Sequence, residues 1–576
     1  MRRDLRQTYR NLLDREHRPR FNYRKPVRFA LVYPSTYYLG MSSLGVQVIY
    51  DTLNHRDDTA CERAFIPEAP ILHELRRSGT SLFSFETQTR LNEFDLVGFS
   101  VSFESDYVNI PLALEIAKIP PLAVDRDQTH PLIIAGGINI AYNPEPITDF
   151  IDVFVVGEAE NSIQHLMDRF VEWKASKASK ADLLHTLASE PGIYVPQFYQ
   201  VRYKSDGTIE NIHSKSPASE KVTAAAISNL DNAETCTKIF TPETEFSNAH
   251  LIEIVRGCGR QCRFCVADYA RRWPRHRSVE NTLQLAEQAS GITNRIGLVG
   301  ASISDHPQID EIATGLVNRG FRISCASLRA ETVRAPLLDA LAESEQGTIT
   351  IAPEVATDNL QKVVNKAIPR ERLYHVFEEA LKRNILNLRL YFLIGVPYET
   401  LRDVEAIVDM ATEMRSILLP HAKRCGRMAR ISYTISPMVP KPHTPFQWVA
   451  MEDSKTISRK LAFLKTEIGR LGGMKVSSAS ARLAYQEAVF ARGDRRLGPV
   501  ILDLSRGTAW KQAFKNHGLD PDFYALRPRL IDERHPWSHL DLNVMPEFLR
   551  LEHNKHQKGF MTSSCDTVVC KKCGAC

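Results

Sequence analysis

Two series of apolar strands that alternate with helical stretches constrain the fold of this 576-residue chain most strongly. The first series includes VRFALVYPSTYYLG (27–40), FDLVGFSVSFES (94–105) and PLIIAGGINI (131–140). Continuous apolar strands between helices are typical of a parallel sheet with helices on both faces. Ligands bind at the carboxyl ends of such strands, so the loops that follow them are the first candidates for function.

The second series contains six strand–helix units, from HLIEIVRG (250–257) to RISYTISPMVP (430–440). It is shorter than the about 250 residues of a complete eight-unit barrel. The predicted fold class is therefore α/β: an N-terminal doubly wound, Rossmann-like domain and a partial (β/α)6 TIM-type barrel. A helical C-terminal region and a cysteine-rich tail follow.

The changes in pattern along the chain predict six segments. The polar stretch between the two series contains a hairpin signal around Asp206-Gly207. The predicted segments are a basic N-terminal arm (1–26), the doubly wound domain (27–174), a connector with the hairpin (175–249), the barrel (250–450), the helical region (451–560) and the tail (561–576).

Composition and charge exclude few functions. Hydrophobic residues make up 43% and charged residues 24%, an ordinary globular composition, and the net charge is only +5. The basic arm is either a solvated helix end, the favoured interpretation, or a contact for RNA. We expect no membrane span and no secretion signal, since no apolar run is long enough, and hence a cytoplasmic protein.

The eleven cysteines are concentrated in two places, three at 258–265 and four at 565–576. Clustered thiols in a large chain without an export signal indicate metal ligation rather than disulfides. The other four cysteines are interpreted as packing residues: Cys61, Cys236, Cys325 and Cys425.

The first cluster, RGCGRQCRFC (256–265), has the spacing C-x3-C-x2-C and follows the strand LIEIV directly. Its ligands are Cys258, Cys262 and Cys265. Ferredoxin-type clusters use four cysteines, so three thiolates leave one iron of a [4Fe–4S] cluster open for another ligand. The alternative is a zinc loop that lacks its fourth ligand.

The last cluster is CDTVVCKKCGAC (565–576). Cys570, Cys573 and Cys576 follow a C-x2-C-x2-C spacing, and Cys565 can be the fourth ligand. Three interpretations are open: an auxiliary [4Fe–4S] cluster, a zinc site, and a flexible thiol or persulfide carrier. Two lysines between the thiols favour the thiolate form.

The first cluster, with Phe264 before its last cysteine, resembles the signature of radical S-adenosylmethionine (SAM) enzymes. The resemblance implies that the open iron chelates the amino and carboxylate groups of SAM. One electron then breaks the sulfonium S–C bond, and the resulting 5′-deoxyadenosyl radical removes a hydrogen atom from the substrate. It also implies a reductant such as flavodoxin or ferredoxin.

Motifs at later strands resemble the SAM contacts of the methylthiotransferase-like branch. In APEVATDNLQKVVNK (352–366), the resemblance assigns Glu354 to the ribose hydroxyls. It assigns Arg329 in SLRAE to the SAM carboxylate, and the backbone around Gly395 in YFLIGVPYET to adenine. For Glu354 and Arg329 the alternative is an ion pair at the barrel rim.

One SAM contact departs from the family pattern. The usual Gly-Gly-Glu after the second barrel strand, which holds the SAM amine, reads VGASISD (299–305) here. Gly300 and Ser302 are the expected substitutes, through backbone carbonyls or a hydroxyl.

The N-terminal domain resembles the cobalamin-binding domain of another radical SAM branch. By that resemblance, Ser100 and Ser102 of SVS, and Gly136 and Gly137 of AGG, contact the nucleotide tail of cobalamin. The family's D-x-H-x-x-G loop, which supplies the cobalt ligand, is replaced by PSTYYLGMSSLG (34–45). The domain therefore either binds cobalamin without a protein ligand or is a scaffold or substrate platform.

The resemblance implies a radical SAM enzyme that modifies an unreactive C–H position, with cobalamin-assisted methyl transfer as one form. Sulfur insertion into RNA or peptide is the runner-up. It is disfavoured because methylthiotransferases carry three N-terminal cysteines and this domain has only Cys61. The third alternative is a non-catalytic iron–sulfur or RNA-binding scaffold. No catalytic residue is assigned, and the substrate is not specified.

Overall fold

The computed structural model describes residues 5–176, 178–426, 429–566, 570 and 572–575, without the side chains of residues 424 and 425. Cys576 and the side chain of Cys425 therefore lie outside the described residues. Among the described residues, no helix is both long and apolar enough to cross a membrane.

The N-terminal unit is a six-stranded sheet in the order β2-β1-β3-β4-β5-β6, in which only β6 is antiparallel. Its strands are β1 Val27–Tyr33, β2 Thr59–Phe65, β3 Leu96–Ser100, β4 Leu132–Gly136, β5 Val153–Val155 and β6 Ile193–Tyr194. Its helices are α1 Leu5–Leu13, α2 Tyr37–Met41, α3 Leu44–Asn54, α4 Ala69–Ser78, α5 Asn109–Ile116, α6 Ile138–Tyr142, α7 Ala159–Ala175 and α8 Lys180–Leu187. From β1, the chain adds β2 on one side and β3 to β6 on the other, so the direction of strand addition reverses between β1 and β3. Doubly wound sheets bind ligands at this point.

Strand β2, at the edge of the sheet, carries two buried charged residues in its centre, so its sequence is not that of a typical apolar strand. Arg63 and Glu62 are fully buried. Arg63 pairs with Glu16 and Glu86 at 2.7 and 2.6 Å, and Glu62 accepts hydrogen bonds from Ser84 and Thr87. Buried charges are tolerated only when they are paired in this way.

The segment between the two units contains the predicted hairpin. Its strands are β7 Tyr199–Tyr203 and β8 Ile209–Ser214, which pair antiparallel around Asp206-Gly207. A two-residue strand, β9 Val222–Thr223, follows.

The second unit is an open parallel sheet. Strands β10, β12 and β13 form one parallel group, with β11 antiparallel on the edge, and β14 to β17 form the next. An isolated parallel bridge between Leu328 and Ile351 joins the groups. The strands are β10 His250–Arg256, β11 Arg275–His276, β12 Arg295–Gly300, β13 Arg322–Cys325, β14 Thr348–Glu354, β15 Asn387–Ile394, β16 Arg430–Pro437 and β17 Met474–Ser478.

The helices of this unit cover the outside of the sheet. They are α9 Val266–Ala270, α10 Val279–Glu287, α11 Ile309–Val317, α12 Ala335–Glu343, α13 Asp358–Val364, α14 Arg370–Lys382, α15 Leu401–Cys425 and α16 Ser454–Gly469. The six predicted strands are all present, and β17 adds a seventh parallel strand. Its sequence, MKVSS, has a single strong apolar β-former, which explains why the pattern did not predict it.

The C-terminal helices join the two units. They are α17 Ala481–Ala491, α18 Leu497–Ser505, α19 Trp510–Asn516, α20 Pro521–Ala525 and, after β18 Leu540–Asp541, α21 Pro546–Gln557. Phe490 and Val500 are buried in the same apolar core as the N-terminal sheet. Lys441, just after β16, pairs with Glu104 of the N-terminal unit. The carboxyl ends of the two sheets are thereby held together.

Candidate functional site

The first cysteine cluster leaves the carboxyl end of β10, a strand in which every residue is buried. Cys265 donates its backbone N–H to the Cys262 carbonyl at 3.1 Å, and α9 begins at the next residue. The backbone N–H of Gln261 is hydrogen-bonded to the Asp268 carboxylate, so the helix folds back on its own loop. This compact turn brings Cys258, Cys262 and Cys265 to one place.

Cys262 is buried and Cys258 and Cys265 are half-buried, and desolvation raises the pKa of each of the three thiols. The pKa of Cys265 reaches about 12, raised further by the neighbouring Cys262 and Asp268. For Cys262 the cations of Lys366 and Arg329 act in the opposite direction. Thiols in this state bind iron with loss of a proton, and the nearby cations favour the resulting thiolates.

Two basic side chains lie beside Cys262. The Lys366 ammonium is 2.9 Å from a carboxylate oxygen of Glu354, and both side chains are largely buried. Arg329 pairs with Glu331 at 2.7 Å, and its Nε is buried without a hydrogen-bond partner. Arg329 and Glu354 were both predicted as SAM contacts, and the structure brings them to the same cysteine.

Ser302 is part of a polar chain at the end of β12. Its hydroxyl donates to Asp305 at 2.5 Å, and Asp305 also pairs with Arg260 of the cysteine loop. Burial raises the pKa of Asp305, but the hydrogen bonds from Arg260 and Ser302 outweigh it, so the pKa lies below its usual value. A permanent carboxylate at this position can accept a hydrogen bond from an ammonium group. It is the nearest equivalent of the missing glutamate in the family motif.

Gly300 packs tightly against β10, since a Cβ there would lie 2.9 Å from the Val255 carbonyl. Glu354 has a φ of +68°, which is rare for a residue with a side chain. Such strained backbone concentrates at functional sites. The backbone of Gly300 is thus held by its contact with β10, and that of Glu354 is held in a conformation that side chains rarely adopt.

Phe264 and the end of β15 share one apolar cluster. Phe264 packs against a group that includes Val355, Val396 and Phe446. Gly395 has a φ of +76° and donates its N–H to Glu399 at 3.0 Å. The predicted adenine turn therefore contacts the same packed group as the cysteine loop.

The cysteine loop fits a cluster better than a single ion. Within the described part of the chain, no group of three or more His, Cys, Asp or Glu side chains could hold a metal ion. In a cubane each thiolate binds a different iron atom, so its ligands do not converge on one point. Cys258, Cys262 and Cys265 would hold such a cluster, and the buried Arg329 Nε is available to a further ligand.

A second site lies in the N-terminal unit, at the reversal of strand order between β1 and β3. A mainly apolar cavity of about 300 Å³ lies there between the sheet and helices α3 and α7. Three of the predicted cobalamin contacts line it: Ser100, Gly136 and Gly137. A cavity of about 150 Å³ holds benzene, so this one has room for a fused aromatic ring system.

The fourth predicted contact, Ser102, does not line this cavity. Its side chain is hydrogen-bonded to Tyr33. Gly137 has a φ of +116°, and a Cβ there would lie 2.3 Å from the Val101 carbonyl, so only glycine fits between the two loops. The loop at 34–45 forms the short helix α2 and the start of α3, and it contains no histidine.

The cavity also has walls from the second unit. Glu253 and Arg256 of β10, and Arg271 after α9, line it together with the N-terminal residues. Arg256 pairs with Glu160 of α7 at 2.6 Å. A molecule held in the cavity therefore lies against the strand that leads into the cysteine loop.

One of the described tail cysteines, Cys565, contacts the first cysteine loop. The Cys565 N–H donates to the Gly259 carbonyl at 2.6 Å. Cys570 is half-buried and Cys573 is buried.

Comparisons with known proteins agree with this geometry. Residues 252–411 match the model of the radical SAM superfamily, and residues 45–196 match a model of the N-terminal region of radical SAM proteins. Together the two matches span more than half of the chain. The chain belongs to the radical SAM superfamily.

Relatives of this radical SAM enzyme include the uncharacterized protein MJ0966 of Methanocaldococcus jannaschii, 26% identical over 83% of this chain and 91% of that protein. A ribosomal protein uS12 methylthiotransferase, RimO of Hydrogenobaculum, is 22% identical over 42% of this chain and 62% of its own length. The solved structure of the cobalamin-dependent SAM radical enzyme OxsB with aqua-cobalamin bound has a TM-score of 0.50 at 16% identity. It covers 77% of this chain and 62% of that chain, and it supports the fold assignment.

Several residues of the radical SAM site were not singled out from the sequence. Lys366 is the last residue of the motif APEVATDNLQKVVNK, and Asp305 is the last residue of VGASISD. Their places in these motifs could have identified them. Arg260, Asp268 and Arg272 have no signal in the pattern, because only the fold of the loop brings them to the thiols.

Proposed function

We propose that this enzyme transfers a methyl group to an unreactive carbon atom, using cobalamin held in the N-terminal cavity. The observation that carries the proposal is the shared wall of that cavity. Ser100 and Gly136 line it from one side and Arg256 from the other, two residues before Cys258. A cofactor there faces the site where SAM is cleaved.

The residues at the two sites support binding of SAM at the cysteine loop and of cobalamin in the N-terminal cavity. At the cysteine loop, Arg329 pairs with the SAM carboxylate, Asp305 accepts from the SAM amine, and Glu354 holds the ribose hydroxyls. In the N-terminal cavity, the apolar walls contact the nucleotide base of cobalamin. Gly137 allows the loop after β4 to approach the Val101 backbone closely. When bound, cobalamin supplies a carrier of methyl groups between SAM and substrate.

The electron for SAM cleavage comes from a low-potential carrier such as flavodoxin or ferredoxin. The loop at 34–45 contains no histidine, so it would supply no imidazole ligand to a bound cobalamin.

The proposal is tested by anaerobic reconstitution with iron, sulfide and cobalamin, followed by incubation with SAM and a deuterated cell extract. We expect bound cobalamin, release of 5′-deoxyadenosine that contains deuterium from the substrate, and transfer of a labelled methyl group from SAM into an extract component. Deuterated 5′-deoxyadenosine without any methyl transfer would exclude the methylation proposal while keeping the radical chemistry.

Sulfur insertion into RNA or peptide is the second candidate, because the cysteine tail lies on the first cysteine loop and could supply sulfur there. The N-terminal unit argues against it, since its only cysteine, Cys61, is fully buried in β2 and does not reach the site. The product distinguishes the candidates: the second predicts loss of cluster sulfide and a methylthio group in the product.

A further inference from the structure

A further cavity lies where the turn after β15 meets the C-terminal region. Its volume is about 490 Å³, which is in the range of small-molecule sites. The turn from Gly395 to Tyr398 lines it, together with Trp448, Arg529 and His556. We call it the C-terminal cavity, and its lining includes no residue of the cysteine loop or of the N-terminal sheet.

Three buried side chains in this lining each hold a nitrogen atom without a hydrogen-bond partner. They are Arg529, Trp448 and His556, which are 7%, 5% and 2% exposed, and the atoms are Nε, Nε1 and Nδ1 respectively. Arginine and indole nitrogens can only donate. A buried donor without an acceptor costs about 1–3 kcal/mol, so several of them around one cavity indicate an acceptor that binds there.

His556 supplies the third donor in its neutral form. Burial and the neighbouring His553 lower the pKa of His556 to about 4, so its ring is uncharged near neutral pH and carries one N–H. His553 itself is satisfied, since its Nδ1 bonds the Pro445 carbonyl at 2.9 Å and its Nε2 lies 3.2 Å from the Gln557 amide. With its proton on Nδ1, His556 completes a set of three N–H donors.

The charge of Arg529 has no carboxylate partner at hydrogen-bond distance. Its Nη2 donates to the Arg492 carbonyl at 2.6 Å, and its Nη1 lies 3.5 Å from Nδ1 of His535. Glu533 is instead bonded through both oxygens to Arg527, at 2.7 and 2.8 Å. Burial therefore lowers the pKa of Arg529 to about 10, although the charge of Glu533 opposes the shift. A buried cation of this kind favours an anionic ligand.

The acidic side chain in the lining of the C-terminal cavity does not compensate Arg529. It is Glu452, and its two oxygens accept from the Lys460 ammonium at 2.7 and 2.8 Å. Lys460 also pairs with Glu399 at 2.6 Å, so this group of charges is balanced internally. Among the described residues of the lining, Arg529 is thus the charge that has no counter-ion.

We propose that the C-terminal cavity binds the oxyanion group of a small molecule, a carboxylate or a phosphate, through Arg529, Trp448 and His556. The oxygen atoms of such a group accept several N–H bonds at once and carry the negative charge that Arg529 lacks. SAM does not supply this group, because its one carboxylate is assigned to Arg329 and its adenine is uncharged. The oxyanion belongs either to the substrate or to free phosphate, and the site does not depend on methyl transfer.

The test is calorimetric titration of the reconstituted full-length enzyme, saturated with SAM, with inorganic phosphate and with acetate. Chloride at equal ionic strength is the control anion. We expect one oxyanion site per chain in wild type, and binding about tenfold or more weaker in Arg529→Gln, because hydrogen bonds to charged groups contribute about 1.5–3 kcal/mol. Arg527→Gln, a neighbouring arginine outside the lining, is the matched control and should bind phosphate as wild type does. Equal affinities in wild type and Arg529→Gln, or binding of neither oxyanion by wild type, would overturn the proposal.

Trp448→Phe tests the donor set without changing the charge, since phenylalanine keeps an aromatic ring and removes the N–H. Phosphate should bind several-fold more weakly, and this variant decides the question if Arg529→Gln does not fold. The affinity for SAM should stay as in wild type in both variants. If SAM affinity falls as much as phosphate affinity, the cavity is part of the SAM site and the proposal is wrong.

A competition experiment identifies the source of the oxyanion. Phosphate is added to the reaction of the enzyme with dithionite, SAM and deuterated cell extract. If the oxyanion belongs to the substrate, phosphate should reduce deuterium transfer into 5′-deoxyadenosine, and Arg529→Gln should need about tenfold more phosphate for the same effect. If deuterium transfer is unchanged while phosphate binds, the ligand is free phosphate; either result supports the oxyanion site. Absence of labelled methyl transfer would remove the methylation proposal and leave the phosphate titration unaffected.

Discussion

Both α/β units present a site at the carboxyl ends of their strands, but the side chains at the two sites differ in kind. Around Cys262 the second unit places paired charges: Lys366 with Glu354 and Arg329 with Glu331. The cavity of the N-terminal unit is lined mainly by apolar side chains and glycines, and its charged residues come from its borders. The same strand–helix architecture therefore supports two different modes of recognition.

The difference predicts which substitutions weaken ligand binding at each site. A site of buried ion pairs recognises charge, so removal of one charge leaves its partner uncompensated. A packed apolar cavity recognises shape, so a larger side chain in its wall weakens the binding of its ligand. The predictions below separate these two sensitivities.

The largest effect is expected at the cysteine loop. Cys262→Ala removes a cluster ligand, and cleavage of SAM to 5′-deoxyadenosine should fall by more than ~100-fold, since even outer partners of metal ligands change affinity by 10–100-fold. The measurement is 5′-deoxyadenosine release with dithionite as reductant. Cys325→Ala, a buried cysteine at the end of β13, is the control and should retain activity. Comparable activity in both variants would falsify the assignment of the loop.

The next effect tests shape in the N-terminal cavity. Gly136→Leu places a large side chain at the cavity wall, where a Cβ has space, so the backbone should tolerate the change. Cobalamin affinity, measured from the absorbance change on titration, should fall at least tenfold, about 1.4 kcal/mol or more. Gly469→Leu in α16, where a Cβ meets nothing within 4 Å, is the matched control. Undiminished cobalamin binding in Gly136→Leu would remove the cavity as the cofactor site.

The third effect tests charge beside Cys262. Lys366→Met keeps the length of the side chain and removes its charge, which leaves Glu354 without its 2.9 Å partner. Charged hydrogen bonds contribute about 1.5–3 kcal/mol, so we expect SAM to bind roughly tenfold more weakly. Equilibrium binding of SAM to the reconstituted enzyme measures this. Lys362→Met, an exposed lysine of α13, should bind SAM as wild type does; a similar loss there would point to a general effect of charge.

The smallest effect concerns Asp106, a buried carboxyl group of the N-terminal unit. Burial raises the pKa of Asp106, after the SVS loop, to about 7, and one of its carboxylate oxygens has no hydrogen-bond partner. The folded protein therefore holds this proton more tightly than the unfolded chain, so the stability contributed by the protonated group is lost as pH rises from about 4 towards 7.

Asp106→Asn should remove that part of the pH dependence, a difference of roughly 1 kcal/mol or more at pH 8. Thermal unfolding at pH 5 and pH 8 measures it: wild type should lose more stability than Asp106→Asn over this interval. Asp125→Asn, an exposed carboxylate, is the control. An identical pH dependence in wild type and Asp106→Asn would contradict the assigned pKa.

The sequence predicted the elements that are apolar throughout and missed those stabilised by long-range pairing. Strands such as β1 and β10 are recognisable because every position is buried. β2 was missed because Glu62 and Arg63 occupy its centre, and their partners lie elsewhere in the chain. The short β17 was missed because its sequence is half polar.

The same division applies to the sites. The cysteines and the strand-end motifs were predicted because each is a local pattern with a chemical reason. The contact of Arg272 with the Phe548 ring, and that of Cys565 with Gly259, join segments about 300 residues apart in sequence, and no local pattern encodes such contacts. Sequence reasoning identified the ligands, and the fold was needed to find what surrounds them.

The bonds that Ser563 and Cys565 make with the loop at 257–265 have a consequence for biogenesis. During translation at about 5–20 residues per second, the loop leaves the ribosome roughly 15–60 s before the segment that covers it. During this interval the tail does not yet pack on Gly259 and Gln261, so the loop thiols are more accessible to iron-delivery proteins and to oxygen. The order of synthesis therefore favours filling this site before the tail docks on it.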